Sequence, residues 1–442
     1  MTEPFSKQFV RSIDANRTVK DTLVKSVGSS RRRSRISVTD LLSPMQAFHK
    51  WTYPDIKPSP DRLQVMMAGT GFHEEFGKIV STEEYLEQLL ELDGIIGKVD
   101  IFEDVPVELK TSSSIPTNIY KGRSSYFEQL GMYCAMANKE TGRLIIYKRQ
   151  RDEQPTELKV YESKFANLEG IISEMKYRRD IFHDALESKD PSKLPQCEWL
   201  YRGCDYSTMC PCRDLTPISP VVSRDEVDIT EMPDLAEELK LKLSSAPPKE
   251  SGLRLNDLVF PRKTACQRNL DSKRDQSEGA TRPIQELERK GFRYALYTSL
   301  RYGSPDHFKG ISVKLNSMVD KVDMYNDIPT ILRTSRVRDM IQRDNLPSFF
   351  SYYFDRLAFE CALTNIKQGR LVLYYEQIPD DKFMVYDISF QNREAIMSEV
   401  KRRINLLESN APITDLPPCP SWMAGYCEFS PNCHCADELP SL

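Results

Sequence analysis

The stretch Val99-Asp-Ile-Phe-Glu-Asp-Val-Pro-Val-Glu-Leu-Lys-Thr-Ser112 aligns without a gap to Val322-Asp-Met-Tyr-Asn-Asp-Ile-Pro-Thr-Ile-Leu-Arg-Thr-Ser335. Other segments repeat in the same order. Tyr126-Phe-Glu-Gln-Leu130 matches Tyr353-Phe-Asp-Arg-Leu357, and Gly142-Arg-Leu-Ile-Ile-Tyr147 matches Gly369-Arg-Leu-Val-Leu-Tyr374. Thr39-Asp-Leu-Leu-Ser-Pro44 matches Asn256-Asp-Leu-Val-Phe-Pro261, and Gly71-Phe-His73 matches Gly291-Phe-Arg293. A cysteine group, Cys197, Cys204, Cys210 and Cys212, returns as Cys419, Cys427, Cys433 and Cys435. The offset stays at roughly 220 residues throughout, so the chain must build two versions of one fold.

Each copy alternates short apolar strands with amphipathic helices, which indicates an α/β core with a mixed sheet flanked by helices. In the first copy, helices are expected near Val38 to Lys50, through His73 to Ile79, at Ser124 to Asn138 and at Phe165 to Leu186. Strands are expected at Gly94 to Phe102, Val105 to Thr111, Arg143 to Arg149 and Glu157 to Tyr161. Residues 1–35 are polar, end in an arginine cluster and read as a flexible arm. The first copy then spans 36–212, a proline-rich linker 213–253, and the second copy 254–442.

The formal net charge is −4, so any nucleic-acid binding must come from local basic patches. No apolar run approaches the roughly 20 residues that span a bilayer, and no signal peptide opens the chain. An intracellular protein is expected: cytoplasmic, or nuclear in a eukaryote. Eight of eleven cysteines fall into the two compact groups, which then read as metal sites rather than disulfides. Cys134, Cys266 and Cys361 are scattered and read as ordinary buried or free thiols.

Residues two apart in a strand share a face, so Glu108 and Lys110 should project together, with Asp100 across the hairpin. Two carboxylates and an ammonium form a site for a hard divalent cation, plus a charge that holds water or phosphate. Metal-assisted phosphodiester hydrolysis needs that set. Asp93, in the same hairpin but nearer a turn and matched by Asn316, reads as structural. The second copy keeps Asp323 but places Ile331 at Glu108 and Arg333 at Lys110. Arg293 stands at His73 and Arg356 at Gln129. One carboxylate should not hold a catalytic cation. The arginines either bind phosphate backbone or reflect drift on a solvated face.

The ordered set resembles the PD-(D/E)xK nuclease superfamily, in particular its RecB-type branch. That branch includes the CRISPR-associated exonucleases, the nuclease domain of helicase–nucleases and eukaryotic exonuclease V. Ser37-Val-Thr-Asp-Leu-Leu42 resembles the entry helix of that branch, Gly71-Phe-His-Glu-Glu75 its His motif, and Tyr126-Phe-Glu-Gln129 its YxxQ helix. The resemblance implies two tandem restriction-endonuclease-like domains, the second degenerate. It implies that Asp100, Glu108 and the Leu109 carbonyl bind Mg²⁺ or Mn²⁺, with His73 as a further ligand. Lys110 would hold water or neutralise phosphate, and Tyr126 and Gln129 would position the scissile strand. The implied activity is exonucleolytic cleavage of single-stranded DNA, alone or with a helicase, recombination or integrase partner. The alternative is a non-catalytic nucleic-acid-binding protein on a repurposed nuclease fold.

Iron–sulfur members of the branch take one cysteine from the entry helix and three from the tail. Here Ser43 stands at the entry position and each tail supplies four cysteines. The short spacing, with Gly203 or Gly425 beside the second cysteine, also resembles zinc fingers. A [4Fe–4S] cluster and Zn²⁺ both remain open at each four-cysteine group.

Overall fold

The computed structural model describes residues 5–27, 34–149, 156–197, 204–210, 220–245, 252–271, 284–379, 381–420, 423 and 427. The chain forms two compact α/β units. One takes the described residues within 28–244 and 283–295, the other those within 1–27, 245–282 and 296–442.

The strands are β1 (Val10–Ala15), β2 (Ile36–Ser37), β3 (Leu86–Leu92), β4 (Ile95–Phe102), β5 (Pro106–Ser112), β6 (Thr141–Lys148), β7 (Glu157–Phe165), β8 (Val227–Glu231), β9 (Phe308–Leu315), β10 (Met318–Tyr325), β11 (Ile328–Ser335), β12 (Gln368–Tyr375) and β13 (Phe383–Phe390). The helices are α1 (Arg17–Ser26), α2 (Val38–Leu42), α3 (Pro44–Thr52), α4 (Pro60–Val80), α5 (Ile119–Met136), α6 (Leu168–Ser188), α7 (Pro233–Ser244), α8 (Leu255–Val259), α9 (Pro261–Asp271), α10 (Ile284–Gly303), α11 (Leu346–Phe349), α12 (Ser351–Thr364) and α13 (Arg393–Glu408).

The first unit's sheet runs β2-β4-β5-β6-β7-β8, with β3 also on β4. The second unit's sheet runs β1-β13-β12-β11-β10-β9. In each, an antiparallel meander leads to a parallel pair joined across a helix, β5–β6 through α5 and β11–β12 through α12, and in the first unit β2 also pairs parallel with β4. A parallel pair needs such a crossover, and the amphipathic helices supply it. In β4, Ile95, Gly97, Val99 and Ile101 face the core while Asp100 lies on the half-exposed face. The neighbouring β5 is central and buried through Leu109.

Three expectations change. The single helix near Val38 to Lys50 is two, divided at Ser43, because Pro44 has no N–H to continue α2 and instead opens α3. Residues 10–15 are no flexible arm: they add an antiparallel edge strand to β13, register Ile13 with Ile388. Residues 227–231, assigned to the linker, add the corresponding edge to β7, register Ile229 with Ser163. Each edge strand is followed by a helix, α1 or α7. The second unit is thus completed by the segment preceding the first copy, and the first unit by the segment preceding the second. Val10 and Ile13, like Val227 and Ile229, place apolar side chains among polar ones, and an edge strand needs no more than that.

A buried arginine fixes the entry helix in both units. Arg178 on α6 donates to the Leu41 carbonyl at 2.9 Å and to Glu174 at 2.8 Å, and lies 3.8 Å from Glu128 on α5. Glu128 in turn accepts the Val221 N–H at 2.9 Å. In the second unit Arg403 donates to the Leu258 carbonyl at 2.8 Å and to Glu399 at 2.7 Å, and lies 3.6 Å from Asp355. Asp355 accepts the Ser6 N–H at 3.0 Å. Buried charges persist where they are paired and hydrogen-bonded on every side, as here.

In the first unit, α4 crosses the opening turns of α10 glycine on glycine. A Cβ at Gly71 would lie 2.0 Å from the Gly291 carbonyl oxygen, and one at Gly291 2.2 Å from that of Gly71. This crossing sets the height of His73, two residues further along α4.

Candidate functional site

Three elements of the first unit meet over β4 and β5. Asp100, on the open face of β4, accepts the Leu109 N–H at 2.8 Å, and its other oxygen lies 3.3 Å from Nδ1 of His73 on α4. Leu109 therefore enters the site through its N–H. Glu108 and Lys110 leave β5 on one face as an ion pair. Lys110 Nζ also donates to Gln129 Oε1 at 2.8 Å and lies 5.4 Å from the centre of the Tyr126 ring.

Gln129 and Tyr126 come from α5, which kinks at Arg123 (φ −150°, ψ 42°) before its straight, buried part begins. Gln129 completes the chain by donating from Nε2 to the Tyr133 hydroxyl at 2.9 Å. Tyr133 was not anticipated from sequence. Its one signal is its place a turn after Gln129 on the same helix face. The structure thus brings together His73, Asp100, Glu108, Lys110, Tyr126 and Gln129. Asp93 (φ 47°) instead sits in the turn between β3 and β4, paired with Lys176 at 2.6 Å. Asn316 (φ 51°) holds the equivalent turn between β9 and β10.

Glu108 is 3% exposed. Burial, with Asp100 adding to it and Lys110 opposing it, leaves its carboxyl pushed up to about 7. Burial also opposes the charge on Asp100, yet the bond to His73 and the nearby Lys110 hold that carboxyl below its usual range. Lys110 loses stabilisation by burial and more than regains it from Glu108 and Asp100, so its pKa is raised. Among the described residues no three His, Cys, Asp or Glu side chains form a ready metal site. The donor set nonetheless suits a hard divalent cation: two carboxylates of one cluster with an imidazole beside them.

The equivalent place in the second unit is closed by its own ion pairs. Arg356 donates to Glu360 at 2.7 Å and lies 3.8 Å from Asp320. Glu360 is 2% exposed, and burial raises its pKa while Arg356 and Arg333 lower it. A carboxylate from α12 thus replaces the one lost from the strand at Ile331. Arg333 stacks 5.4 Å over Tyr353. Arg293 belongs to the first unit, on an exposed face of α10, so the three arginines do not share a unit. Arg356→Met is expected to lower stability by about 2 kcal/mol, read by denaturant unfolding, because it leaves Glu360 buried with a weakened partner.

Cys197, Cys204, Cys210, Cys419 and Cys427 are half-buried. Cys212, Cys433 and Cys435 lie outside the described residues. Cys197 and Cys210 pack against the first unit's core. Cys266 is a buried thiol, as expected, and packs with Cys419 and Cys427. His49 on α3 is 3% exposed and stacks on Tyr206, ring centres 5.7 Å apart. Burial lowers its pKa, which keeps the ring neutral.

No family model matches this chain, and no curated protein matches it. A solved structure described as the crystal structure of SSO0001 aligns with 47% of this chain and 98% of its own, at 17% identity and a TM-score of 0.30. Likeness at that level carries no argument. The architecture defines the class, a mixed α/β protein with two helix-flanked sheets. No helix among the described residues is long and apolar enough to cross a membrane.

Proposed function

We propose that this chain is a metal-dependent nuclease of the PD-(D/E)xK type, RecB-like branch. Its first unit would cut single-stranded DNA from an end, and its second would be a non-catalytic copy. One observation carries the reading: His73, Asp100, Glu108, Lys110 and Gln129 converge from α4, β4, β5 and α5 into one partly buried cluster.

Asp100, Glu108 and His73 would hold Mg²⁺ or Mn²⁺. When bound, such an ion polarises the phosphate and lowers the pKa of an attacking water. Asp100 is kept ionised and aimed by the Leu109 N–H and His73. Lys110 supplies a fixed positive charge for phosphate or water, and Gln129, braced by Tyr133, holds it in place. Tyr126 offers a ring beside that ammonium on which a base can stack. The cysteine loops would each hold a thiolate-rich metal centre, [4Fe–4S] or Zn²⁺, that pins the tail of its domain. The second unit lacks the strand carboxylate and favours binding without cleavage.

Mn²⁺ binding tests the site. One ion should bind the wild-type first unit, and Asp100→Asn should remove it. Because Glu108 is fully ionised only above about pH 7, affinity should weaken by about tenfold from pH 8 to pH 6. Affinity independent of pH, or unaffected by Asp100→Asn, would place the ion elsewhere.

A further inference from the structure

Between the aligned pairs Ser112–Ser335 and Tyr126–Tyr353, the first copy has residues 113–125 and the second has 336–352, a longer segment. That segment follows β11 and is pinned from beneath. Val337 and Ile341 pack on the second unit's core, and Leu346 and Phe350 are part of it. Met340 and Phe349 do the opposite and stand 38% and 49% exposed. One apolar side chain left outside needs no explanation. These two, however, line a single open hollow of about 460 Å³, together with Ile341, Gln342, Asn345 and Ser348.

The lining is apolar or neutral and hydrogen-bonding; none of these side chains is charged. Its volume suits one flat ring system and its sugar. Phe349 is backed by a column of rings. Phe350 lies 4.9 Å from it, Tyr353 5.2 Å from Phe350, and the Arg333 guanidinium 5.4 Å over Tyr353. Gln342 and Asn345 each bring an amide, a group that pairs with base edges. Charge flanks the lining residues along the chain. Arg336, Arg338 and Arg343 are exposed and outnumber Asp339 and Asp344. Arg336 is held by Glu376 at 3.1 Å, but Arg343 leans on the exposed Asp344 at 3.2 Å, a pair weak enough to open to a phosphate.

We propose that this hollow in the second unit holds one base of a single-stranded nucleic acid, stacked on Phe349 and Met340, with Arg338 and Arg343 on the neighbouring phosphates. A base is flat, uncharged and edged with donors and acceptors, and the phosphates beside it are anionic. A neutral, ring-backed lining flanked by arginines matches that order. The inference rests on the reading of this chain as one that acts on single-stranded DNA. It puts the second copy's binding at the segment after β11 and not at the former catalytic place, which Arg356 closes with Glu360 and Asp320.

The test uses the full chain carrying Glu108→Gln, so that bound DNA stays whole, and a fluorescent oligothymidylate whose anisotropy is followed through a salt series. Phe349→Ala should weaken binding about tenfold, and Phe349→Trp should keep it. Arg338→Ala combined with Arg343→Ala should lower the log–log salt slope by about 1.4, two phosphate contacts on a single strand. All three side chains are exposed, so the variants should melt as the parent does. Binding unchanged by Phe349→Ala and by the arginine pair overturns the proposal and leaves the hollow to a protein segment. Cleavage by the chain with Glu108 intact is recorded alongside. Cleavage with Phe349-independent binding overturns the hollow alone. Phe349-dependent binding without cleavage overturns catalysis alone, and no binding to DNA overturns both.

Discussion

Glu108→Ala is expected to abolish divalent-metal-dependent cleavage, a fall of about 10³-fold or more, equal to about 4 kcal/mol of transition-state stabilisation. The side chain is buried, points from the central strand at Lys110, and is one of two carboxylates in the cluster. Without it Asp100 is the remaining carboxylate there. Glu108→Gln keeps the shape of the site and should lose activity equally, because charge is what the cation requires. DNA affinity should change little, since phosphate-backbone contacts dominate binding and depend on cations elsewhere on the surface. A Glu108→Gln protein that still cleaves at the wild-type rate would move the chemistry away from this face.

Gly71→Val should be the most damaging single change outside the site, costing about 4 kcal/mol or more. Even the Cβ of alanine would sit 2.0 Å from the Gly291 carbonyl oxygen, a backbone atom that no rotamer change can move. Relief requires α4 and α10 to part, which would loosen Phe72 and Phe76 from the core they share with Leu287 and shift His73 from Asp100. Thermal unfolding and cleavage should therefore fall together. An unchanged melting temperature would mean that the crossing is not closed in solution.

Much of this was legible in the sequence because it rests on period and order. The two-residue period placed Glu108 and Lys110 on one face, and the repeat foretold two helix-flanked sheets that share a meander and a helix-crossed parallel pair, although one has seven strands and the other six. The edge strands β1 and β8 were not legible. Each is short, mostly polar and stabilised by pairing with a strand far away in sequence, so its local signal is weak. The role of Glu360 was hidden for a similar reason. It compensates for Ile331 across the space between α12 and β11, and no alignment column joins the two.

The most direct test of the nuclease assignment is the fate of end-labelled single-stranded DNA incubated with the full-length, anaerobically purified chain and Mn²⁺, with Glu108→Ala alongside. Progressive release of label by wild type, stopped by chelation and absent in the variant, is the expected result. Intact DNA that remains bound to the wild-type protein would contradict catalysis and leave a nucleic-acid-binding protein built on this fold.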